Sequence, residues 1–388
     1  MNSNPVLVDF NLVAGRQFRL FCWVFAGIAA LMLTGCQPCP CTQGHARAIR
    51  AESMMFGQFQ QSAVDTVQSV SVGGHAKAGL LSNQSSPDAS LTQVSFATEG
   101  ADFDPEVDPT GTWIVYASTQ HAARSDIYRK QIDGLTQVQL TRGNADDVMP
   151  AISPDGRSIV FASNRSGNWD IWMMSINGGA ATQLTSETDQ ELHPSFSPDG
   201  RHVAYCRQND HSGRWEIWTF DITSPGTRSY VCEGLFPQWS PNPGRNVLLF
   251  QRPRERGSHL YGIWTIDVNN GLGASPTEIL SSSEAAIMHP SWSPDGNSIC
   301  FCSVSLPVES ALWPEQANIW MVKVDGTQRV SLTTSRFRNM QPTWSGDGKI
   351  YFVSDRGGAD SLWSIQANDP ANFNRGTLAS FNETEEGN

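Results

Sequence analysis

Positive charge is scarce in this chain. Lys and Arg together number 26 against 38 Asp and Glu, a formal charge of -12, whereas a surface that tracks phosphate needs the opposite excess. No nucleic-acid partner is therefore expected. The N-terminal apolar stretch from Leu20 to Leu33 falls short of the roughly 20 residues that a permanent membrane-spanning helix requires. Catalytic signatures are missing too: there is no Gly-x-Ser-x-Gly elbow, no His-Glu-x-x-His helix and no phosphate-cradling Gly loop, which removes the commonest hydrolase, metalloprotease and nucleotide-binding readings. His and carboxylates do not occur at metal-ligand spacing, so neither a metal nor a cofactor is expected. Within the regular part of the chain no helix-length period of 3.6 appears, which argues against a helical architecture.

Apolar and aromatic residues are plentiful. The 388 residues are 39% hydrophobic and only 16% charged, with 13 Trp and 18 Phe, enough to bury a large core. The beginning of the chain reads as an export signal: Arg16 and Arg19 precede the apolar stretch, which meets Leu33-Thr34-Gly35-Cys36. Small residues followed by Cys resemble a bacterial lipobox. That resemblance implies cleavage before Cys36, acylation of its thiol and anchoring through more than one chain, each buried CH₂ contributing about 0.8 kcal/mol. Gln37, where lipoproteins kept at the inner membrane have Asp, implies transfer to the outer membrane. An ordinary cleaved signal beside an accidental Cys is the alternative.

The eight cysteines separate by place. Cys22 leaves with the signal, Cys36 carries lipid, and Cys39 and Cys41 sit beside Pro38 and Pro40 at the membrane surface. Cys206, Cys232, Cys300 and Cys302 lie in apolar runs and read as buried free thiols, because Cys packs as a small hydrophobe. From Thr42 to about Ser90 the composition turns to Gln, Ser, Gly and Ala, the signature of a tether, with room for a short amphipathic helix over 54–70. The expected organisation is a signal at 1–35, a lipid-anchored polar tether at 36–90, one folded unit at 91–381 and a disordered tail at 382–388.

The folded unit is written as a repeat. Pro-x-x-Ser-Pro-Asp-Gly or a close variant starts at Pro105, Pro150, Pro194, Pro237, Pro290 and Pro342, at intervals of 45, 44, 43, 53 and 52 residues, near the length of a four-stranded propeller blade. A second phrase keeps step, from Asp126-Ile127-Tyr128 and Asp170-Ile171-Trp172 through to Ser361-Leu362-Trp363. Apolar runs such as Ile159-Val160-Phe161-Ala162 lie between the two. The Pro-Asp-Gly element suits a tight hairpin, where Pro presets φ, Asp bonds nearby backbone and Gly accepts positive φ. Continuous apolar runs suit sheets buried on both faces, as in stacked blades. The expected fold is all-β, a six-bladed propeller. Of seven candidate outer strands, the N-terminal one at Gln93 to Ser95, rather than Gly376 to Ala379, is expected to complete the sixth blade, since it ties the ends of the ring together.

These repeats resemble the WD-like repeats of the TolB family. The match covers about three quarters of the chain, and it implies a six-bladed propeller that binds protein. The N-terminal α/β domain by which that family engages the Tol machinery has no counterpart expected between Cys36 and Ser90. Only the propeller and the idea of protein binding are carried over.

Functional residues are fewer. Trp172, Trp218, Trp264, Trp320 and Trp363 recur once per blade, which favours packing between blades over a sugar platform. Asp155, Asp199, Asp295 and Asp347 are turn residues. His193 and His289 directly precede a repeated Pro, where the innermost strand is expected to begin near the channel; with Asp104, Asp146, Asp147 and Glu191 in the same class of loop they could bind a cation or a polar ligand, the default being solvated channel polarity. Long loops carry Arg252 and Arg254 in the fourth blade and Trp313 in the fifth, residue types favoured as binding anchors. They are expected to flank the mouth shared by the two histidines, the alternative being loops folded over their own blades. The resulting expectation is a lipid-anchored binding or assembly module with an envelope protein partner, on the periplasmic face of the outer membrane. The alternative is a propeller-type glycosidase or lyase, which needs paired carboxyls across the channel.

Anchoring is open to direct test. Cys36→Ser should abolish palmitate incorporation and move the chain from the membrane pellet to the soluble fraction; continued pelleting with no label would mean another anchor.

Overall fold

The computed structural model describes residues 91–253, 260–269, 271–305, 316–334 and 336–367. They form six antiparallel sheets arranged as blades. Blades 1 to 6 occupy 102–139, 147–183, 190–233, 235–280, 285–331 and 339–366, and Thr92–Gln93 adds the outermost strand to blade 6. Blade 4 carries one extra short strand, Leu272–Gly273. The innermost strands are Asp102–Val107, Asp147–Ile152, Gln190–Phe196, Leu235–Trp239, Ala285–Trp292 and Asn339–Trp344. Each packs against the inner strands on either side, the last against the first, so the ring is closed. This is the six-bladed all-β propeller that the repeat spacing implies. The expected signal and tether (1–90), including Cys36, and the tail at 382–388 lie outside the described residues.

Local chemistry explains each blade. Inner and second strands meet at the repeated phrase, where Ser153 Oγ donates to Asp155 Oδ1 at 2.6 Å, the Arg157 amide donates to the same oxygen at 3.1 Å and Gly156 takes φ +68°. Asp199 and Asp295 hold the Arg201 and Asn297 amides in the same way, at 3.0 Å in both cases. The second strands are apolar on both faces because both are covered; Ile159, Val160, Phe161 and Ala162 have no exposed surface. On the third strand the repeated Trp is partly buried beneath an Arg of the same blade: Arg165 over Trp172, Arg207 over Trp218 and Arg356 over Trp363, at 4.9, 4.9 and 5.2 Å. These indoles pack against the main core, as their recurrence indicates. Cys206, Cys232, Cys300 and Cys302 are buried free thiols.

Closure uses the N-terminus. The Val94 and Ser95 amides both donate to the Leu362 carbonyl, at 2.8 and 3.2 Å. The Leu362 amide donates to Ser95 Oγ at 2.9 Å. Thr141, Thr185 and Thr333 hold the Ile127, Ile171 and Ile319 amides in the same manner at 2.9, 2.8 and 2.9 Å. Val94-Ser95 is thus a displaced copy of the Leu-Thr pair that ends other blades, and the N-terminal choice for the sixth blade is the observed one.

That copy should matter for stability. Ser95→Ala leaves a buried amide without an acceptor, a loss of about 1–3 kcal/mol. Urea denaturation should show a lower midpoint, and an unchanged midpoint would mean that blade 6 holds without this bond.

Candidate functional site

Every inner strand carries one residue too many for its partner strand. Register jumps from Val148 to Ala151 while the second strand advances only from Ala162 to Val160, and equivalent jumps occur in the other five blades. The first residue of each jump has positive φ: Asp104 +51°, Met149 +55°, His193 +53°, Phe236 +53°, His289 +50° and Gln341 +51°. Each stands directly before the repeated Pro. Such a bulge bends the strand and re-aims a side chain, and here all six come to line one central cavity of about 440 Å³. The repeated Pro therefore lies in mid-strand, not at the strand start that the sequence pattern implied.

The ring is a floor with distinct sectors. In one, Gln341 Nε2 donates to Asp104 Oδ1 at 2.6 Å, the Asp104 amide returns a bond to Gln341 Oε1 at 3.0 Å, and the Met149 amide donates to Asp104 Oδ2 at 3.1 Å. This double contact spans blades 6 and 1. In the other, the Phe236 ring packs against both imidazoles, with centroids 3.8 Å from His193 and 4.5 Å from His289. Phe236 comes from the blade between theirs and touches both. His289 is further held by its amide on Gln251 Oε1 at 2.8 Å and by Nδ1 lying 3.3 Å from Cys302 Sγ. Above the floor, Glu106 accepts from Thr343 Oγ1 at 3.3 Å.

Among the described residues that line it, ten are Pro and none is Lys or Arg. Pro lacks an amide donor, so the walls have few groups to offer an anion. Recession inside the protein also decides protonation. Burial pushes the Asp104 and Glu106 carboxyls up to about 7, despite the bonds from Met149, Gln341 and Thr343 that pull the other way. Burial brings His289 down to about 4, and burial with the neighbouring His289 holds His193 well below its ordinary value. At neutral pH both imidazoles are uncharged, and burial opposes ionisation of both carboxyls.

The cavity extends from this floor to the prolines of the strand-one-to-two hairpins, including Pro109, Pro154, Pro198 and Pro241. The expected long-loop mouth is corrected accordingly. Those loops leave the second strands at the opposite end, since Pro253 and Ser305 pair near the far ends of their blades. Arg252 lies over the Trp264 ring at 4.1 Å, and Arg254 and Trp313 are outside the described residues. Asp147 binds Arg165 Nη2 through both oxygens at 2.7 and 2.8 Å. Glu191 has no exposed surface, pairs with Arg228 at 3.5 Å and is pushed up to about 7 by burial. Neither lines the cavity. Of the residues singled out from sequence, the structure joins His193 and His289 with Asp104; Met149, Phe236, Gln341 and Glu106 were missed. Reading down the column before each repeated Pro would have found the first three of these. Among the described residues no group of three His, Cys, Asp or Glu is placed to hold a metal.

Comparisons agree on the fold. Residues 85–270 match the family model of the TolB beta propeller domain, and the propeller is TolB-like. No curated protein matches the sequence. The chain is similar to the solved structure of a TolB from Agrobacterium tumefaciens described as putative, with 20% identity, 71% of this chain and 96% of that chain covered, and a TM-score of 0.53. TolB from Acinetobacter baumannii matches at 17% identity over 67% of this chain and 65% of that one, TM-score 0.48. An oligogalacturonate lyase from Vibrio parahaemolyticus matches at 13% identity over 73% and 94%, TM-score 0.51. Identities this low establish architecture alone, and one architecture serves unrelated sites.

The raised carboxyls carry a signed prediction. A folded-state pKa above the unfolded one makes stability fall as pH rises from about 4 to about 7. Glu106→Gln should therefore gain stability over the parent chain at pH 8 and gain less at pH 5, as read by urea denaturation at both. A difference independent of pH would mean that Glu106 is not held above its ordinary value.

Proposed function

Taking the propeller as TolB-like, we propose that the chain is a binding or assembly module, held by lipid on Cys36 at the periplasmic face of the outer membrane, with a protein partner seated over the cavity mouth. The observation that supports this reading is the cavity itself. Six equivalent backbone positions turn six side chains inward, and these are Asp, Met, His, Phe, His and Gln. Packing alone would favour repetition at equivalent places, as it does for the Trp column. Divergence where the backbone is constant is the pattern of a surface shaped for one occupant.

The catalytic alternative draws less support. A glycosidase needs two carboxyls facing each other across the scissile bond, whereas Asp104 and Glu106 stand on one strand. An acidic glycan would also call for cationic clamps, and among the described residues no Lys or Arg lines the cavity. Asp147 and Glu191 are engaged with Arg165 and Arg228.

Blocking the mouth tests the proposal. Pro154→Arg combined with Pro198→Arg places bulk and charge on two hairpins at the rim. The detergent-extracted chain with both changes should recover its envelope partner at least tenfold less well in a cross-linked pull-down, while Arg252→Ala recovers it normally. The reverse result would move the partner to the long-loop end.

A further inference from the structure

The cavity has a charge imbalance that its own residues do not correct. Asp104 and Glu106 both line it, and neither has an ion-pair partner among the described residues. Among the described residues Asp104 accepts from an amide side chain and a backbone amide, and Glu106 from a hydroxyl. A carboxylate carries about four acceptor sites, so acceptor capacity is left over in both. The rest of the lining supplies no counter-charge: Met149, Phe236 and Gln341 are uncharged by nature, and His193 and His289 are neutral because they are recessed against Phe236.

The walls select further. With so many Pro residues they are poor in donors, so a good ligand brings its own. Aromatic surface is at hand in Phe236, Phe196 and Trp239, and a flat delocalised cation stacks on such surfaces better than a compact hydrated one. Uncompensated carboxyls, donor-poor walls and aromatic surface together describe the complement of a guanidinium, which has five N–H donors in one plane and no acceptor.

We propose that the cavity receives one alkylguanidinium group, the head of an arginine side chain presented by the protein partner, with Asp104 and Glu106 as its counter-ions. This rests on the reading of the cavity as the partner's seat. The guanidinium enters through the hairpin mouth past Pro154 and Pro198 and directs its N–H groups to the two carboxyls, with its alkyl stem passing the aromatic lining. No covalent step is involved. Binding favours the ionised carboxyls, so it releases protons when they are partly protonated, and affinity rises as pH passes upward through about 7. His289, brought down to about 4, and His193, held well below its ordinary value by burial and the neighbouring His289, stay neutral over that interval.

The probe is n-butylguanidinium, with n-butylurea as a neutral analogue of nearly the same shape and calcium as a compact cation. Each is titrated into the full chain in detergent by calorimetry at pH 5.5 and pH 8. The expected result is saturable binding of butylguanidinium, at least tenfold tighter at pH 8, with proton release near neutral pH that scales with buffer ionisation enthalpy. Glu106→Gln should weaken binding at least fivefold while the protein keeps its far-ultraviolet spectrum, and butylurea should not bind. Equal binding of butylurea, pH-independent binding, an unaffected Glu106→Gln chain or preference for calcium would each overturn the proposal. Partner recovery by the mouth variants is read separately. If blocking the mouth abolishes recovery while butylguanidinium does not bind, the seat stands and the guanidinium falls; if blocking it changes nothing, the seat itself falls.

Discussion

A single backbone constraint organises the centre of this protein: on every inner strand, the residue before the repeated Pro is held with φ near +50°. An L-residue in that region carries a cost of order 1 kcal/mol or more, and here the cost recurs six times around the ring. It persists because its surroundings leave no other choice. The following Pro fixes its own φ and restricts the residue before it, the Ser-Asp-Gly hairpin pins the strand end, and neighbouring inner strands press from both sides. Without the bulge the inward side chain would fall to the other face of the sheet, as any one-residue change of register requires. The channel lining, its sectors and its cavity all follow from that local irregularity.

Much of the blade architecture was legible because blade-building residues repeat. Pro, Asp and Gly mark hairpins through turn chemistry, Trp marks the third strand, and Leu-Thr marks the outer one; even ring closure could be read, since Val94-Ser95 imitates Leu140-Thr141. The central site was legible only in part, for the complementary reason. Its residues differ from blade to blade, so repetition conceals them. Two histidines attracted notice because His is chemically conspicuous, whereas Met149, Phe236 and Gln341 are ordinary residues given importance by position. Glu106 looked like a variant letter within a structural phrase. The direction of the cavity is not legible from the phrase, which suggests a Pro at the strand start; the bulge places it midway, and the open space lies beyond it towards the hairpins.

The electrostatics of the centre follow from the same geometry. Drawing polar side chains inward without supplying Lys or Arg makes ionisation costly for carboxyls and imidazoles alike, and the two types respond in opposite directions. The carboxyls move up to about 7 and His289 down to about 4. Asp147, more fully buried than either cavity carboxyl, is matched to Arg165 across 2.7 Å. At strand ends outside the cavity the carboxyls divide: Asp147 and Glu191 are paired with Arg165 and Arg228, whereas Asp102 and Asp170 are held by hydrogen bonds and pushed up by burial.

Closure by Thr92–Gln93 has a mechanical consequence. Residues before Thr92 join the propeller at the one strand that completes the ring, and that strand is among the shortest in any blade. A pull arriving through the N-terminal segment is therefore borne first by the few bonds from Val94 and Ser95 to Leu362, ahead of any other blade. The seam that makes the propeller a closed body is also the point at which tension would open it.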